Sequence, residues 1–189
     1  MGKELPSEEE LSPLRGLLSF VPEERARAIE QRREQWTKKN NDLFGKNSRF
    51  NEIKRRMNDG AAFSSMDVDV LCSDMAFLAS FYDHIIELEG IAVAEDTLYS
   101  RYYNDNLAII SYGNIFDGTK SESEAMIKIM IPEMKMMWNI LTGAKNDLSF
   151  LGVRDGKQTA RANSIKMMIE VYKKRHDSRR AQYAGSQAR

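Results

Sequence analysis

Between Met66 and Gly90 the chain reads MDVDVLCSDMAFLASFYDHIIELEG. Val68, Leu71, Met75, Leu78, Phe81, Tyr82, Ile85 and Leu88 follow a helical period and cover most of the circumference. The polar positions are nearly all acids: Asp67, Asp74, Asp83 and Glu87. A helix so widely apolar belongs in a core, with its acids on whatever edge stays wet. Gly90 is expected to cap it. The stretch therefore predicts an all-α fold arranged around one central helix.

Helix signals continue on both sides. Upstream, Ser7 with Glu10 fits a capping box, and Ser12-Pro13 fits an N-cap followed by proline at the first helical position. Pro22 opens a helix to about Phe44 in which Ile29, Trp36 and Leu43 recur every seventh residue, and Gly45 ends it. Phe50, Ile53 and Met57 give a short amphipathic helix, with Arg55 and Arg56 directed away from the apolar face and Asp59-Gly60 closing it. Downstream, a helix from Ala92 to Tyr103 follows. Leu107–Tyr112 is strand or buried helix by pattern. Nothing else in the chain alternates with period two, so a strand would lack a partner and helix is the better reading.

Ser121 with Glu124 starts a Met-rich segment, Met126–Leu141, broken by Pro132 and ended by Gly143. Thr159 opens the last helix, which buries Ile165, Met168, Ile169, Tyr172 and His176. The expectation is seven to nine helices in two packed subdomains, 1–104 and 105–189, divided near residues 100–118.

The chain has 28 Lys and Arg against 28 Asp and Glu, yet the charges are sorted. Residues 22–56 hold eleven bases and six acids, for +5; residues 57–100 hold nine acids and no base; residues 153–189 hold ten bases and three acids, for +7. Either folding interleaves these blocks into local ion pairs, or the molecule has opposite faces for opposite partners.

Catalytic constellations are absent from the pattern. Cys72 is the single cysteine, which leaves no disulfide framework and no thiol pair for zinc. His84 and His176 stand far apart with no metal-type ligand at helical spacing. Asp67-x-Asp69 and Glu87-x-Glu89 lack the convergent partners of an acid–base pair. In Gly113-x4-Gly118-Thr119-Lys120-Ser121 a threonine separates glycine from lysine, which puts the lysine out of register for a phosphate-binding loop. No apolar run approaches the roughly 18 residues of a membrane span. The chain is expected to be no enzyme and to carry no metal or cofactor.

What remains is electrostatics. Arg25, Arg27, Arg32, Arg33, Lys38 and Lys39, followed by Lys54, Arg55 and Arg56, form a candidate surface for lipid or RNA phosphates. Asp67, Asp69, Asp74, Asp83 and Glu87 form a candidate self-association surface, meeting bases of the next copy such as Lys173, Lys174 and Arg175. A head-to-tail contact of this kind repeats into an array when it does not close on itself.

Leu11-Ser12-Pro13-Leu14 with Gly16, Leu18, Phe20 and Val21, then Pro22-x-Glu24-Arg25, Arg32-Arg33 and Lys54-Arg55-Arg56-Met57, resemble the matrix proteins of influenza-type orthomyxoviruses. Phe63, Leu71, Leu78-Ala79-Ser80, Gly90 and Glu95 continue the likeness to about residue 100. In size the chain is similar to the short matrix proteins of fish isaviruses. It has no counterpart of the influenza proteins' downstream Cys/His cluster, so the resemblance carries no zinc.

The resemblance implies a matrix protein that self-assembles beneath the envelope and bridges anionic membrane to the ribonucleoprotein. The implied partners are anionic lipids, viral ribonucleoprotein or RNA, glycoprotein tails and further copies of the chain. The implied locations are the inner face of the virion envelope and the host cytoplasm, nucleus and cytoplasmic face of the plasma membrane. The alternative is a helical RNA-binding or ribonucleoprotein adaptor without a membrane role.

Overall fold

The structure, a computed structural model, describes residues 6–113, 119–152 and 160–187. Eight helices occur among them: α1 (Glu8–Arg15), α2 (Glu23–Phe44), α3 (Arg49–Asn58), α4 (Gly60–Ser65), α5 (Val68–Tyr112), α6 (Lys120–Met130), α7 (Pro132–Leu151) and α8 (Ala160–Gln187). No strand occurs among the described residues, and the all-α expectation holds.

The capping box at Ser7 and Glu10 is present, with the serine hydroxyl accepting from the Glu10 amide at 3.4 Å and the Glu10 carboxylate accepting from the Ser7 amide at 2.8 Å. Pro13 does not open a helix as expected; it lies inside α1, where the capped first turn has already set the direction. Pro22 and Gly45 flank α2 as the sequence suggests. Asp59 both ends α3 and caps α4, its carboxylate accepting from the Ala62 amide at 3.1 Å.

The largest departure lies in the central stretch. Helix α5 does not stop at Gly90 but runs 45 residues from Val68 to Tyr112, absorbing the separate segments expected at Ala92 and Leu107. One glycine in a helix interior costs about 1 kcal/mol. The buried side chains on either side, Ile85, Leu88, Ala92 and Tyr99, outweigh that. Thr119, not Ser121, caps α6, in a capping box with Glu122. The expected start at Thr159 lies outside the described residues.

The chain divides into two compact units, each assembled from separated segments: residues 1–33 with 91–146, and residues 34–90 with 147–189. This replaces the expected division near residue 104, which falls inside α5. Proximity in sequence therefore does not decide which segments share a core. In the first unit Leu18, Val21, Ala26, Ile29, Tyr99, Tyr103 and Ile110 pack with Ile127, Ile131, Met134, Met137, Ile140 and Leu141. The methionines of the Met-rich segment thus fill a core, as flexible side chains do. Buried Asn106 ties down the α1–α2 connection, accepting from the Ser19 amide at 3.0 Å and donating to its carbonyl at 2.9 Å. In the second unit Phe50, Ile53, Met66, Leu71, Leu78, Phe81, Ile85 and Leu88 pack with Leu151, Ala162, Ile165, Met168 and Tyr172.

Gly143 also fails to terminate a helix; it sits within α7, with the Arg33 side chain lying against it. A Cβ there would lie 2.6 Å from Cζ of Arg33, whereas a Cβ at Gly90 would meet nothing within 4 Å. Gly90→Ala is expected to raise stability by about 0.8 kcal/mol through helix propensity. Gly143→Ala is expected to lower it by roughly 2 kcal/mol by displacing an arginine from a buried ion pair. Urea unfolding of both variants checks this; stabilisation by Gly143→Ala would show that Arg33 is free to move aside.

Candidate functional site

The predicted surfaces are built from residues that folding sorts into two kinds, those used inside the molecule and those left at its exterior. In the first unit, Glu95 is buried on α5 and accepts from both Arg32 and Arg33 of α2, the latter at 2.6 Å. These two arginines lie 63 and 62 residues from their common carboxylate. Arg27 pairs with Glu23 one turn away at 2.5 Å, with both side chains well exposed. Arg25 is exposed and hydrogen-bonds the hydroxyl of Tyr99, whose pKa is raised by burial in spite of that cation.

The second unit repeats the device. Asp74 is buried on α5, with Arg56 at 3.2 Å and Arg49 at 3.4 Å. Asp74 is thus a structural ion-pair partner, and its place in the expected self-association surface is withdrawn. Arg56 is half-buried against it, so of the two bases expected to point away from the apolar face, Arg55 and Arg56, only Arg55 is exposed; Lys54 is exposed beside it. Tyr172 is also buried here; burial first, then the Asp74 charge, pushes its pKa up to about 12.

His84 is buried on α5, and its Nδ1 faces Nζ of Lys39 at 3.2 Å, the histidine nitrogen accepting in the neutral ring. Burial, then the Lys39 charge, lowers the His84 pKa below its usual value, with Glu87 acting the other way. The unfolded chain therefore takes up this proton more readily, and stability falls as pH drops below the unfolded value of about 6.5. His84→Gln is expected to flatten the loss of melting temperature between pH 7 and pH 5; an unchanged profile would remove His84 as its cause.

Other expected residues stay at the exterior. Asp67, Asp69, Asp83 and Glu87 are exposed, and none has an ionic partner among the described residues. Asp69 and Glu87 are five helical turns apart, with Asp83 one turn before Glu87, so one face of α5 carries all three. Lys38, Lys54, Arg55, Lys173 and Lys174 are likewise exposed without an ionic partner there. Arg175 is half-buried instead and donates, with Arg179 at 2.7 Å, to the Ser64 carbonyl at the end of α4.

The expected surfaces did not include Lys166 or Arg180. With Lys173 they stand at seven-residue spacing along α8, all exposed, with the acids Glu170 and Asp177 beside them. The signal was present in the heptad interval itself. Among the described residues no helix is long and apolar enough to cross a membrane. No protein-family model, no curated protein and no solved structure matches this chain.

Proposed function

We propose that this chain is a matrix-type structural protein, without catalytic activity, that polymerises beneath a viral envelope and bridges anionic lipid to the ribonucleoprotein. The observation that carries the reading is the set of unneutralised charges in the second unit. Asp69, Asp83 and Glu87 line one face of α5, and Lys166, Lys173 and Arg180 line α8, with no ion pair between the two sets. Exposed charges of opposite sign on one subunit suit a heterologous contact, in which the acid face of one copy meets the basic line of the next. Lys38, Lys54 and Arg55 remain for phosphate, each basic residue near an anionic membrane contributing about 1 kcal/mol.

Vesicle flotation with electron microscopy of the bound fraction tests the reading. Binding only to phosphatidylserine-containing vesicles, weakened by salt and accompanied by an ordered coat, is expected. Charge reversal at Asp69, Asp83 and Glu87 together should leave lipid binding in place and abolish the coat. Protein that ignores every lipid but binds RNA with a log-linear salt dependence would move the reading to an RNA adaptor.

A further inference from the structure

A pocket of about 600 Å³ opens in the second unit, its lining including Phe44, Phe50, Lys54, Phe150, Arg161 and Ile165. Its volume falls within the range of small-ligand sites. The walls are of two kinds: three phenylalanines and Ile165 form an apolar side, and Lys54 and Arg161 supply positive charge.

Arg161 is held in an unusual setting. Its guanidinium lies 4.6 Å from the ring centre of Phe44 and 4.1 Å from that of Phe150, and its Nε donates to the Phe150 carbonyl. Arg32, Arg33 and Arg56 each meet a carboxylate, but Arg161 meets none among the described residues. Burial lowers its pKa. The aromatic contacts position the cation and exclude water from its faces. Among the described residues its charge is left uncompensated, and a partly desolvated guanidinium is a strong donor to phosphate. Asn51 is occupied on the donor side by the Phe44 and Gly45 carbonyls, at 3.1 and 2.8 Å, which keeps the floor of the pocket in place.

We infer that this pocket binds one anionic phospholipid molecule, its phosphate between Arg161 and Lys54 and the start of its acyl chain against Phe44, Phe50, Phe150 and Ile165. The juxtaposition of uncompensated charge with apolar wall selects the ligand. A bare anion would leave the phenylalanines wet, and a neutral apolar molecule would leave Arg161 unpaired. The inference extends the membrane reading without depending on it, because a discrete pocket takes single lipid molecules as well as a bilayer surface.

The test uses dihexanoylphosphatidylserine below its micelle concentration, titrated into the full chain and followed by calorimetry and by NMR of the Arg161 Nε–H and Ser164 and Ile165 amides. One saturable site is expected, with affinity at least tenfold above that for dihexanoylphosphatidylcholine and for inorganic phosphate. Arg161→Gln should lower affinity at least tenfold and Lys54→Gln about threefold. Arg161 also supports the Phe150 carbonyl, so Ser164→Glu provides a variant outside the fold's contacts: its exposed side chain would place a carboxylate in the pocket and should lower affinity at least tenfold. Absence of a saturable site, equal affinity for phosphate or phosphatidylcholine, or full binding by Ser164→Glu would overturn the inference. Vesicle flotation separates the two proposals: a wild-type chain that floats but takes up no monomeric lipid keeps the surface reading alone, and one that binds monomer but never floats keeps the pocket alone.

Discussion

Glu95→Gln is expected to destabilise the protein by about 3–5 kcal/mol, the cost of removing one partner from a buried ion pair. The carboxylate side chain is 8% exposed and Arg33 is 14% exposed, so loss of the negative charge leaves a guanidinium in a poor solvent for it. Arg32, at 37% exposure, is better hydrated and contributes the smaller share. A shape-preserving amide isolates charge from packing, which makes the variant informative. Urea unfolding of Glu95→Gln, alone and combined with Arg33→Gln, gives the coupling between the pair. A loss below about 1 kcal/mol would mean that Glu95 is hydrated in solution and that the cluster is not buried.

The second large effect distinguishes two aspartates on the same helix. Asp74 is 1% exposed and clasped by Arg49 and Arg56, whereas Asp83 is exposed with no ionic partner among the described residues. Asp74→Asn is expected to cost about 3 kcal/mol of stability. Asp83→Asn should stay within about 0.5 kcal/mol of wild type. Assembly should respond the other way round. Asp83→Lys should impair coat formation on vesicles at unchanged melting temperature, while folded Asp74→Asn protein should still assemble. Equal stability losses for the two asparagine variants would remove the distinction between structural and surface acids on α5.

Helix type was legible because apolar spacing and capping residues are local, as at Ser7 with Glu10 or in the run from Val68 to Leu88. Helix ends were less so. Gly90 and Gly143 have the chemistry of terminators, but a glycine's small cost is overridden when neighbours such as Leu88, Ala92 and Tyr99 are buried. Two capping boxes overlap at Thr119/Glu122 and Ser121/Glu124, and the sequence does not rank them; the structure uses the first.

The charge blocks were legible as blocks, but not which members would be neutralised. Arg56 finds Asp74 18 residues away and Arg33 finds Glu95 62 residues away, and no local pattern announces either pair. Internal pairing holds for Arg32, Arg33, Arg49 and Arg56, while Asp69, Asp83, Glu87, Lys54 and Arg55 stay exposed without an ionic partner among the described residues. Arg161 was passed over for a similar reason: it belongs to no motif, and its two phenylalanine partners come from α2 and α7.

The interleaved construction of the two units has a consequence during synthesis. The first unit needs only residues up to 146, but the second awaits the 43 residues from 147 to 189. At about 5–20 residues per second, that is an interval of roughly 2–9 s. Throughout it, Phe50, Leu71, Leu78 and Phe81 lack the Ile165, Met168 and Tyr172 that will cover them. The basic line of α8 has not yet emerged either, so under the proposed head-to-tail assembly a nascent chain would offer its acid face to finished neighbours before it could receive one. Growth of an array from chains still on the ribosome would then have a direction, set by the order in which translation delivers the two complementary faces.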